Sequence, residues 1–72
     1  MNSESRREKF KRLAEKRTKE VLSRIRILGN LSNKSSYDYS VDEIRKIFSA
    51  IEEQTRLVKS SFKVEKKQEF KL

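Results

Sequence analysis

Gly29-Asn30-Leu31-Ser32-Asn33-Lys34-Ser35-Ser36-Tyr37-Asp38-Tyr39-Ser40 is the stretch whose reading decides the fold. It is the one long interruption in a chain otherwise written for helix, and it holds a stop signal followed by a start signal. Gly29 follows Ile25-Arg26-Ile27-Leu28 and can turn left-handed at a helix C-terminus without a Cβ penalty. Ser40, with Glu43 three residues on, spells a capping box. Tyr39 before that cap and Ile44 after it have the spacing of a hydrophobic staple. One helix therefore ends, and another begins, at predictable places.

Working back from Gly29, nothing breaks a helix until Ser5. Ser5 and Glu8 form a second S-x-x-E pattern, which predicts a helix over about residues 6–28. At 100° per residue, Phe10, Leu13, Ala14, Val21, Ile25 and Leu28 share one face. Arg17 lies within that stripe and Arg24 on its edge. Arg17 has two readings: a polar layer bonded to Thr55 or Glu52, or a stem covering the seam with its head in water. Lys9, Arg12, Lys16, Lys19 and Arg26 stand on the opposite side, with Glu8 and Glu15 among them. Residues 1–28 hold ten basic and four acidic side chains, a net of +6. Glu8→Arg12, Glu15→Lys19 and Glu20→Arg24 are i,i+4 pairs in the favourable order, each contributing ~0.2–0.5 kcal/mol to a helix.

Forward from Ser40, the pattern predicts a second helix over about residues 41–62. Its apolar stripe is Ile44, Ile47, Phe48, Ile51, Val58 and Phe62, with Thr55 in the same row. Four acids and four bases make it neutral. Residues 63–72 are rich in Lys, their apolar groups leave the stripe, and a frayed tail is expected. The connector 29–40 is long for a helix-to-helix link, which points to a turn of its own or a contact surface. Asn30-Leu31-Ser32 and Asn33-Lys34-Ser35 match the glycosylation triplet, but no signal peptide's apolar segment accompanies them.

One numerical regularity links the two helices. In an antiparallel hairpin, facing residues have numbers that add to a constant. With 72, Leu28 meets Ile44, Ile25 meets Ile47, Val21 meets Ile51, Ala14 meets Val58 and Phe10 meets Phe62. The polar pair Arg17 and Thr55 falls at a level of its own. The expected fold is an all-α, antiparallel two-helix hairpin within a single small helical domain, residues 1–72. Such a chain holds little core. Only 33% of its residues are hydrophobic and 42% are charged. Without cysteine or histidine it has neither disulfide nor zinc to staple it, so a homodimer, a four-helix bundle, is the expected assembly.

Composition also narrows function. A net charge of +8 favours anionic partners. No apolar run reaches the ~20 residues of a membrane span, and a cytoplasmic location is expected. No catalytic residue set, metal site or cofactor motif is present in the sequence, so an enzyme is not expected. Adjacent acids such as Glu52-Glu53 point different ways on a helix, and Asp42-Glu43 suit a helix N-terminus. The leading expectation is a small regulatory protein that binds a nucleic-acid phosphate backbone through Lys9, Arg12, Lys16, Lys19 and Arg26. A solvated face with its own ion pairs is the competing account of those charges. Tyr37 and Tyr39 could stack on bases, although the staple claims Tyr39 first. The alternative function is an adaptor or modulator of the phage or plasmid type, docking on a protein partner through Leu22, Ile27, Leu31 and Tyr37.

Overall fold

A computed structural model describes residues 3–62. Among these residues the regular structure is entirely helical. Helix α1 spans Arg6–Gly29 and α2 spans Val41–Ser61, with a single 3₁₀ turn at Asn30–Ser32 between them. The expected tail lies outside the described residues. The chain divides into two compact units, Met1–Asp38 and Tyr39–Leu72. Each is described on its own.

In the first unit, α1 starts where the Ser5 pattern places it, but the box is only half closed. The Glu8 N–H donates to Ser5 Oγ at 3.1 Å, which is the expected cap. The Glu8 carboxylate, however, does not return to the Ser5 backbone. It accepts from the Ser5 hydroxyl at 2.9 Å instead.

The far end of α1 departs from expectation. Gly29 is not left-handed: its φ and ψ are −60° and −24°, and no described residue has positive φ. The helix absorbs Gly29 and tightens into the 3₁₀ turn, with the Asn30 N–H turned back to the Ile27 carbonyl. Glycine permits the left-handed region but does not require it.

The connector's turn is built by Asn33. Its Oδ1 accepts from the Ser35 N–H at 3.1 Å and from the Ser35 hydroxyl at 2.6 Å. Its carbonyl accepts from the N–H groups of Ser36 and Tyr37, at 3.1 and 3.0 Å. This Asx-type turn is the work of a residue that the sequence marked only as the first member of a glycosylation triplet.

The second unit opens with a complete capping box. The Glu43 N–H donates to Ser40 Oγ at 3.1 Å, and the Ser40 N–H donates to Glu43 Oε1 at 2.8 Å. That bond from the Ser40 backbone, helped by the Ser40 side chain, holds the Glu43 carboxyl below its ordinary pKa. Tyr39 and Ile44 are both half-buried, as a staple requires. At the other end no glycine stops α2. The hydroxyls of Ser60 and Ser61 both donate to the Leu57 carbonyl, at 2.7 and 3.3 Å, and compete with the helical ladder there. Phe62 caps the helix with its N–H on the Lys59 carbonyl at 3.2 Å.

Neither stripe is closed off from water. No described residue is buried, and only Leu13, Ala14, Leu28, Tyr39, Ile44 and Ile51 are half-buried. In proteins most helical stability comes from packing an apolar face rather than from propensity. The two apolar faces therefore call for cover.

Candidate nucleic-acid interface

The rise and twist of an α-helix fix the layout of the five expected contacts. Lys9, Arg12, Lys16, Lys19 and Arg26 fall within an arc of about 100° and are spread along about 26 Å of helix axis. All five are exposed. Their electrostatic surroundings differ. Arg12 is already engaged: its guanidinium forks onto Glu4, with Nε at 2.8 Å and Nη2 at 3.0 Å from the two carboxylate oxygens. That hydrogen bond lowers the Glu4 pKa and raises that of Arg12. Lys9, Lys16, Lys19 and Arg26 make no ion pair among the described residues.

The three expected i,i+4 pairs do not close. Glu8 is taken up by the Ser5 hydroxyl, and Glu4, preceding the helix, captures Arg12 from eight positions away. Among the described residues no ion pair joins Glu15 to Lys19 or Glu20 to Arg24. Long side chains lose rotamer freedom when they pair, and exposed pairs return little for it. In α2, by contrast, Arg56 forks onto Glu53 at 2.6 and 3.1 Å, and its hydrogen bond lowers the Glu53 pKa. Arg45 stands 3.9 Å from Asp42.

A shallow open surface along α1 gathers Glu4, Glu8, Lys11, Arg12, Glu15, Lys16, Lys19 and Glu20. Four acids face four bases, so this surface is balanced. All four acids of residues 1–28 are on it, and the net +6 therefore resides on the bases it leaves out. Three of those, Arg6, Arg17 and Arg24, lie within about 20° of one another on the helical wheel, on the face that carries the apolar stripe. Sequence reading noted Arg17 and Arg24 on the stripe but placed the contact row opposite it, and so did not join them with Arg6 into a second cationic line. Tallying each base against its nearest acid was the signal that could have found it.

Arg17 is exposed, as are Phe10, Val21 and Ile25 of its stripe, and it makes no ion pair among the described residues. Thr55 donates its hydroxyl to the Ile51 carbonyl at 2.7 Å. The apolar candidates Leu22, Ile27, Leu31 and Tyr37 all belong to the first unit and are 47–52% exposed. Leu22 and Ile27 point about 140° apart around α1, so they make no single helical patch.

Among the described residues no group of three or more acidic, histidine or cysteine side chains is placed to hold a metal ion. No helix there is long and apolar enough to cross a membrane. Comparison with protein families, curated proteins and solved structures finds no match for this chain.

Proposed function

We propose that this protein is a small, non-catalytic regulator that associates with nucleic acid through the cationic surface of α1. The observation that carries the reading is asymmetry: α1 with its flanking residues is +6, while residues 41–62 hold four acids and four bases. Charge kept for solubility alone has no reason to sit on one helix. Unpaired Lys and Arg on an exposed rod suit a phosphate backbone, where released counterions supply the affinity.

The helices work best in this role as an antiparallel hairpin paired into a four-helix bundle. Such a bundle covers both apolar stripes and leaves the basic side of α1 outward. The layers that sum to 72 support the hairpin, and the exposure of both stripes supports the second copy. A protein-docking adaptor is the weaker reading, because its four apolar residues do not form one surface.

The test is binding to a duplex DNA and to an RNA hairpin across a salt series. Affinity should fall steeply as salt rises, and replacing Lys9, Lys16, Lys19 and Arg26 by Gln should flatten that dependence. No binding at low salt, or binding unmoved by these substitutions, overturns the proposal.

A further inference from the structure

Helix α2 carries a second period. Val41, Ile44, Phe48, Ile51, Thr55, Val58 and Phe62 are separated alternately by three and four residues through the whole helix. That is a heptad seam, with Val41, Phe48, Thr55 and Phe62 at a and Ile44, Ile51 and Val58 at d. The seam is apolar except for Thr55, whose hydroxyl donor is spent on the Ile51 carbonyl of its own helix. Thr55 can therefore turn its methyl group inward. Val41 and Phe48 are 67% and 44% exposed. In the layers that sum to 72, Phe48 falls against Arg24, and Val41 against Leu31, which lies beyond α1 in the 3₁₀ turn. They form the edge of α2 that the hairpin leaves over.

The flanking e positions lie beside that edge: Arg45, Glu52 and Lys59. Charges there set which helix pairs with which, and in what direction. Two antiparallel copies of α2 bring e against e. When the layers sum to 99, Phe48 meets Ile51 of the second copy, Val41 meets Val58, and Thr55 meets Ile44. Arg45 then faces Glu52 of the second copy, twice by symmetry.

Shifting by one heptad in one direction sets Glu52 against Glu52 and Arg45 against Lys59. Shifting in the other sets Arg45 against Arg45. A parallel pair brings e against g, where Ile47 and Gln54 offer no charge to Glu52 or Lys59. Neither residue of the favoured pair is held by a hydrogen-bonded ion pair. Glu52 makes no ion pair among the described residues, and Arg45 has only the 3.9 Å approach to Asp42, with both of those side chains well exposed.

We propose that the edge of α2 formed by Val41, Phe48, Arg45 and Glu52 is the docking surface for a second copy of this chain. The two α2 helices lie antiparallel, with reciprocal Arg45–Glu52 pairs flanking the seam. This rests on the dimer proposed above and goes beyond it by naming the helix, direction and register. With α2 beside α2 in the bundle, the two α1 helices also lie side by side and merge their cationic surfaces.

The test is sedimentation equilibrium of the full chain at low salt, on wild type, Arg45→Glu, Glu52→Arg and the double reversal, with helicity checked by circular dichroism. Arg45 and Glu52 are too far apart along one helix to pair within a chain, so rescue reports contact between chains. Each single reversal should weaken the dimer roughly tenfold, and the double reversal should restore it to within about threefold. A wild type that stays monomeric overturns the dimer itself. A wild-type dimer indifferent to the single reversals, or weakened by them without rescue, overturns this pairing and leaves the dimer standing.

Discussion

Helices α1 and α2 are close in length and both are capped by a serine, yet they differ in charge and in the apolar face each carries. In α1, the stripe is interrupted by Arg17 and bordered by Arg24, and the N-terminal box is half closed. In α2, the seam is unbroken by charge, the box is closed in both directions, and acids balance bases. Charge weakens packing, and under the function proposed above the surface for a polyanion and the surface for packing sit on different elements. A small protein that cannot hold a large core can still divide labour in this way.

The sharpest way to break the comparison is to put a charge into the seam. Phe48→Asp should raise the dimer's dissociation constant about a hundredfold, the effect of losing an aromatic anchor worth roughly 2–3 kcal/mol. Sedimentation reads it. Arg17→Leu, which removes a charge from the other stripe, should leave the dimer intact and lower nucleic-acid affinity slightly.

A smaller effect comes from the acids that balance the open surface of α1. Glu8→Gln with Glu15→Gln should strengthen nucleic-acid binding several-fold at low salt, and that gain should vanish at high salt. Fluorescence anisotropy with a labelled duplex measures both. An unchanged affinity would mean that this surface faces away from the ligand.

The two caps offer a finer contrast. Ser40→Ala removes an acceptor within a reciprocal box and should cost about 1 kcal/mol, seen as a lower urea midpoint. Ser5→Ala should cost less, because the return bond to the Ser5 backbone is already missing.

The smallest effect is one of pH. The bond from the Ser40 backbone holds the Glu43 carboxyl below its ordinary pKa, so the stability it lends is fully present above the ordinary carboxylate range. It is lost as pH falls through the depressed value. Helicity of the wild type should therefore drop further on acidification than that of Glu43→Gln, which has no carboxyl to protonate there. Parallel acid titrations would refute this.

Much of the architecture was legible because it is local. Ser40, Glu43, Tyr39 and Ile44 lie within six residues of one another, and such short-range geometry is fixed by the helix itself. The end of α1 was misread because glycine is permissive: Gly29 stayed right-handed and a 3₁₀ turn closed the helix. A turn in the connector was expected from its length, but the role of Asn33 in it, and of Ser60 and Ser61 at the end of α2, was missed because side-chain bonds to nearby groups leave only a weak imprint on composition. For the candidate site, the basic character of α1 was plain from residue counts. Its fine electrostatics were not, because each carboxylate chooses among several cations within reach. Glu4 took Arg12 from outside the helix, where no i,i+4 rule would look.

The division of labour itself is tested most directly by two triple variants of equal charge. Lys9, Lys16 and Lys19 become Gln in one, and Lys46, Arg56 and Lys59 become Gln in the other. Each lowers the net charge from +8 to about +5, and the two remove cations from different helices. The measurement is the slope of log affinity against log salt on duplex DNA. The α1 variant should lose about 2.7 from the slope, at ~0.9 per phosphate contact, and the α2 variant less than about 1. Equal losses from the two variants would contradict the account.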